Sequence, residues 1–185
     1  MDDNFSSIEK AILYGRTIFS SIRKFIIFQL TINVSAVLVS FFSPLLGFES
    51  PLSITQILWI NLVMDTLAAL AFGGEPALKR FMSEKPKRRD ENIVNKYMWS
   101  SILTGALLVF VLSMIFLVTD TFTNIFRYDE SNKYLLTGYF TFFVFASVFN
   151  AFNARTDKLN LFENITKNDG FMKIIALIVI VQVFM

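Results

Sequence analysis

One acidic residue lies deep inside an apolar run: Asp65, in Trp59-Ile-Asn-Leu-Val-Met-Asp-Thr66. Placing an Asp at the centre of a membrane helix costs about 2.5–3.5 kcal/mol, so such a carboxylate points to a function. Asn61 stands four residues earlier, about 40° away around a regular helix, which projects both side chains from one face. Asn33 occupies the middle of the preceding apolar run. Two antiparallel helices joined by a short loop would bring the three side chains together. These are donors suited to a hard cation: Ca²⁺ takes about six to eight oxygens at 2.3–2.6 Å. Asn33, Asn61 and a bidentate Asp65 supply four at most, leaving the rest to water, backbone carbonyls or a helix outside this sequence. Taken singly, Asn33 or Asn61 reads equally well as an interhelical hydrogen bond worth about 1 kcal/mol. Apart from Lys173 at the mouth of the last apolar run, no Lys or Arg lies within these runs to pair with Asp65, which leaves a bound cation or a carried proton.

Other chemistries are excluded by composition. The 185 residues include no Cys and no His, so disulfides, thiolate or imidazole metal sites and Cys-His or Ser-His-Asp nucleophiles are absent. No Gly-rich phosphate loop is present. A net charge of +2 provides no global field for nucleic acid.

The elements that position these residues are membrane helices. Hydrophobic residues make up 54% of the chain, 22 of them Phe, and they are blocked into long runs rather than spread with an amphipathic period. The runs cover about 25–42, 52–72, 97–118 and 134–152, with a fifth at 171–185. About 20 residues cross 30 Å of hydrocarbon; the first four runs suffice, and the fifth reads as cut short, as in a fragment. The fold class is therefore all-α: a polytopic membrane helix bundle of four full spans and a truncated fifth. The segment before the first span, the second connection and the fourth carry fourteen Lys and Arg, against two in the first and third connections. The positive-inside rule puts the N-terminus and residues 73–96 in the cytoplasm, with 43–51 and 119–133 on the other side. Residues 1–24 carry Phe5, Ile8, Ile12, Ile18 and Ile22 at near-helical spacing. They form either an interfacial helix or an amphipathic stalk continuous with the first span.

Further readings are structural. The Phe residues between 140 and 152 face lipid or pack, Asn150 and Asn153 cap a helix end, and Lys85-Pro-Lys-Arg-Arg89 is a topology signal that contacts lipid head groups. Asn164-Ile-Thr166 falls on the cytoplasmic side and escapes glycosylation.

The stretch Phe25-Ile-Ile-Phe-Gln-Leu-Thr-Ile-Asn-Val-Ser-Ala36, followed by Gln56-Ile-Leu-Trp-Ile-Asn-Leu-Val-Met-Asp-Thr-Leu-Ala-Ala-Leu-Ala71, resembles the fifth and sixth transmembrane helices of P-type calcium ATPases. The plasma-membrane-type class is the most similar. Asp2-Asp-Asn-Phe-Ser-Ser-Ile8 and Gly15-Arg16 resemble that family's junction between phosphorylation domain and fifth helix. Glu75-Pro76 and Lys85-Pro86 resemble its next connection, and Phe149-Asn-Ala-Phe-Asn-Ala-Arg155 the end of its eighth helix. The resemblance covers essentially the whole chain. It implies residues 1–24 as a cytoplasmic stalk and junction, and 25–185 as the C-terminal transmembrane domain of a pump driven by an aspartyl phosphate. Asn61 and Asp65 would be ligands of transported Ca²⁺, and Asn33 a ligand or its support. The plasma membrane is the implied location.

Departures matter. Pumps of the two-calcium reticulum type carry an acid where this chain has Ala36, a Thr at Met64, and a Glu at Ser147, so the resemblance implies that a second site is lost. The phosphorylated Asp-Lys-Thr-Gly motif, the Thr-Gly-Glu loop, the nucleotide domain and the Pro-Glu-Gly-Leu ligand segment do not occur in this chain. ATP and Mg²⁺ thus belong to a parent protein, and the partners expected here are Ca²⁺, membrane lipid and the N-terminal half of the pump. Two alternatives stand beside this reading: a non-enzymatic membrane fragment or subunit, and a pump for another hard cation such as Mn²⁺.

Overall fold

A computed structural model describes residues 5–48, 50–83, 92–126, 133–156 and 168–184. The basic cluster at 85–89 and the sequon at 164–166 lie outside the described residues. The described residues are mostly helical, without strands among them. Four helical segments are long and apolar enough to cross a membrane: Phe5–Leu45, Ile54–Gly73, Lys96–Val118 and Lys133–Arg155. The protein is an integral, multi-pass membrane helix bundle.

Helix α1 (Phe5–Leu45) runs unbroken for 41 residues, about 61 Å at 1.5 Å per residue. That is roughly twice the hydrocarbon thickness, so α1 is one rod made of the first span and the polar segment before it. Two of its buried hydroxyls bond back one turn: Thr31 Oγ1 donates to Ile27 O at 2.7 Å and Ser35 Oγ to Thr31 O at 2.6 Å. Gly47, at φ 85°, closes the helix, and the Phe48 N–H returns to Ser43 O at 3.1 Å.

The second span is interrupted. Ser53 and Gln56 form a reciprocal capping box that starts α2 (Ile54–Trp59). A π turn, Ile60–Met64, follows, with the Asp65 N–H bonded to Ile60 O, and α3 (Asp65–Gly73) completes the crossing. A 3₁₀ turn, Lys79–Ser83, is tied to the rod by Arg16, whose Nη1 donates to Phe81 O at 2.6 Å and Met82 O at 3.0 Å. Asn95 caps α4 (Lys96–Val118), its side chain accepting from Met98 N at 2.8 Å. The segment expected as an outer loop opens with a short helix, α5 (Asp120–Ile125). Phe122 of α5 stacks on Phe116 of α4 at 4.5 Å between ring centres, which supplies the apolar contact a six-residue helix needs. Helices α6 (Lys133–Arg155) and α7 (Asp169–Phe184) complete the bundle.

Phe28, Phe72, Phe171 and Phe152 form a chain of ring contacts linking α1, α3, α7 and α6 at one end. Phe116 of α4 and Tyr139 and Phe142 of α6 form a second set of ring contacts, joining those two helices. Leu107, Leu108, Val111 and Ile115 of α4 stay exposed, as suits a surface solvated by lipid. Of the fourth-span aromatics, Phe140 and Phe143 are buried while Phe149 is exposed. Asn150 does not cap a helix end: its Nδ2 donates to Phe28 O on α1 at 3.4 Å. An amide facing a packed neighbour has no water to bond, so it takes the backbone carbonyl within reach.

Candidate cation site

Asp65 begins α3 directly after the π turn, and only 5% of its surface is exposed. Neither carboxylate oxygen has a hydrogen-bond partner. The amide of Gln29 on α1 lies close to the carboxylate without completing such a bond. The buried cations Lys24 and Arg155 are engaged elsewhere, by Glu75 beyond the far end of α3. A buried charge without a partner is costly by several kcal/mol or about that order, so this carboxylate is arranged for something that the chain's own side chains do not supply.

The three residues expected from the sequence are placed differently. Asp65 points into the bundle, Asn33 is half-buried on α1, and Asn61 is exposed. The Asn61 Nδ2 donates to Ile57 O at 3.0 Å, which leaves its Oδ1 available as an acceptor. A π turn, Ile60–Met64, lies between Asn61 and Asp65. Its i→i−5 bonds widen the ring, so each residue there advances by less than the 100° of an α-helix. π turns of this kind recur at functional sites. Thr66 bonds back one turn as Thr31 and Ser35 do, with its Oγ1 donating to Leu62 O at 2.5 Å.

Gln29 is the residue that the sequence reading passed over. The signal was available: it precedes Asn33 by four residues, on the same face of α1 and inside an apolar run. Among the described residues no group of three or more His, Cys, Asp or Glu could hold a metal. An ion at Asp65 would therefore lean on amide and carbonyl oxygens. The positions of a would-be second site offer little. Met64 is buried with no oxygen on its side chain, Ala36 packs against the core, and the Ser147 hydroxyl donates to Phe143 O at 2.8 Å.

Helices of membrane-crossing length around a buried, unpartnered carboxylate beside a π turn define a membrane bundle with an intramembrane acidic site. The chain belongs to the family described as cation transporting ATPase, C-terminus, which matches residues 49–185. It is 38% identical over 190 residues to calcium-transporting ATPase 5, plasma membrane-type, of Oryza sativa subsp. japonica, covering 98% of this chain and 17% of that protein. It is 37% identical over 186 residues to calcium-transporting ATPase 12, plasma membrane-type, of Arabidopsis thaliana, covering 100% of this chain and 18% of that protein. The chain thus spans less than a fifth of the length of these relatives.

Proposed function

We propose that this chain is the ion-binding transmembrane part of an ATP-driven pump that moves Ca²⁺ out of the cytoplasm. The observation that carries the reading is Asp65, a buried carboxylate with both oxygens unpartnered in the middle of a membrane bundle. The names of the similar proteins supply the ion. Asp65 contributes the charge, Asn61 and Asn33 contribute amide oxygens, and water, backbone carbonyls or helices outside this chain complete the shell. ATP and Mg²⁺ act on the N-terminal part of the parent protein, where the aspartyl phosphate forms. The single rod of α1 joins the two halves, because a continuous helix transmits a tilt or rotation at its cytoplasmic end to Asn33. The excess of basic residues supports a cytoplasmic N-terminus, and the relatives' type supports the plasma membrane.

The test is Asp65→Asn in the full-length pump. The amide keeps the shape and removes the charge, so calcium-dependent phosphorylation from ATP should be lost while the protein remains folded. Near-normal calcium affinity in that variant would sink the assignment.

A further inference from the structure

The helix that carries Asp65 is irregular just before that residue and ends in two glycines. Helix α3 has nine residues, with a π turn before it and Gly73 and Gly74 at its end. The π turn is a local departure from α-helical geometry within the span Ile54–Gly73, and the glycines at its end leave the backbone free to rotate. The orientation of the Asp65 carboxylate therefore depends on what grips α3 from outside.

The first side chain after the glycines provides that grip. Glu75 Oε2 accepts from Lys24 Nζ of α1 at 3.2 Å. Its Oε1 accepts from Arg155 Nε, at the end of α6, at 2.8 Å and from Asn168 Nδ2 at 3.2 Å. Asn168 also caps α7, because its Oδ1 accepts from Phe171 N at 2.9 Å. The Arg155 guanidinium lies 5.2 Å from the centre of the Phe171 ring. One carboxylate thus joins the end of α3 to α1, α6 and α7, in surroundings that leave Arg155 only 3% and Asn168 2% exposed.

Stability alone is a poor reason for such a cluster, since apolar residues in place of a buried ion network are often neutral or stabilising. Direction is what these bonds supply and apolar packing does not. We infer that Glu75 is a positioning residue for the cation site: by tying the end of α3 to three helices, it fixes where the Asp65 carboxylate stands. The inference rests on the reading of Asp65 as a ligand of the transported ion. Its two arms differ in kind. Arg155 and Asn168 anchor α3 to α6 and α7, and Lys24 registers it against the rod.

The experiment uses the full-length pump with Glu75→Gln, Lys24→Met, Lys24→Arg and, in parallel, Asp65→Asn. Two quantities are read: the Ca²⁺ concentration for half-maximal ATPase activation, and the amount of folded protein. Groups that orient a metal ligand typically contribute about 10- to 100-fold in affinity. Glu75→Gln and Lys24→Met should raise the half-maximal concentration by about that range, and Lys24→Arg, which keeps the pair, should stay near the parent value. A purely structural role would lower the amount of folded protein while leaving the half-maximal concentration unchanged, and that result overturns the inference. If Glu75→Gln does not accumulate, Lys24→Met alone decides, because it leaves the Arg155 and Asn168 bonds intact. A defect in Asp65→Asn with unshifted Lys24→Met refutes the positioning role only. Normal calcium activation in Asp65→Asn refutes the site on which it rests.

Discussion

A Cβ atom added to Gly105 of α4 would lie 3.0 Å from Thr31 Cγ2 on α1 and 3.7 Å from Asn150 Oδ1 on α6. Three helices therefore meet at a point where only a glycine fits without displacement. Close backbone approach through small residues is how membrane helices associate, since lipid gives them no hydrophobic drive to do so. Nearby, Ser35 Oγ lies 3.4 Å from Ala106 O, a second contact of the same kind. Gly105→Ala asks Thr31 to yield by a few tenths of an ångström and should cost little. Gly105→Leu adds three more carbons to a filled space and should destabilise the bundle by about 1–3 kcal/mol. Thermal unfolding in detergent measures both, and an unchanged midpoint for the leucine variant would contradict the packing described.

Gln29 offers a test of the site that does not touch a charge. Its amide lies close to the Asp65 carboxylate from the facing helix. Gln29→Leu keeps the approximate volume and removes the polar end. In the full-length pump this variant should need about tenfold more Ca²⁺ for half-maximal activation, the lower end of what a group beside a metal ligand contributes. Equal calcium dependence of the leucine variant and the parent would exclude Gln29 from the site.

The orientation rests on the distribution of Lys and Arg and is open to direct measurement. This chain contains no Cys, so single cysteines introduced here report on one position each. Phe48→Cys should react with a membrane-impermeant thiol reagent added from outside, and Lys87→Cys should react only after the membrane is opened. The reverse pattern would invert the topology.

A stoichiometry of one Ca²⁺ per cycle follows from the chemistry around the site. Met64 and Ala36 carry no side-chain oxygen, and the Ser147 hydroxyl is already bonded within α6. A lone hydroxyl does not offset the desolvation of a divalent ion. Equilibrium binding of ⁴⁵Ca²⁺ to the purified, dephosphorylated pump should approach one ion per molecule. Cooperative binding of two would require a second cage built from backbone carbonyls and water.

The membrane-spanning nature of the chain was legible without a structure because it is a local property. Each crossing needs about 20 consecutive apolar residues, and the runs around Ile32, Leu67, Val109 and Phe143 provide them. The candidate ligand Asp65 was legible for a similar reason: the cost of a carboxylate in lipid depends on its depth in one segment, whatever its neighbours are. The continuity of the stalk with the first span could be expected from the apolar spacing between Phe5 and Ile22, with an interfacial helix as the alternative.

Which residues meet was decided only by the tertiary structure. Asn61 and Asp65 share a face on a regular helix, yet in the folded bundle one is exposed and the other buried, with a π turn between them. Asn150 looked like a helix cap because its reach to Phe28 O depends on how α6 packs against α1. Lys24 and Arg155 counted in the sequence as charges at membrane boundaries. In the folded bundle both converge on Glu75, from positions 51 and 80 residues away along the chain. Periodicity and hydropathy report the environment of a single segment, whereas pairing across segments is set by the rotation and height of whole helices. Those quantities emerge when side chains such as Thr31 and Gly105 fit against each other, and no single segment encodes them.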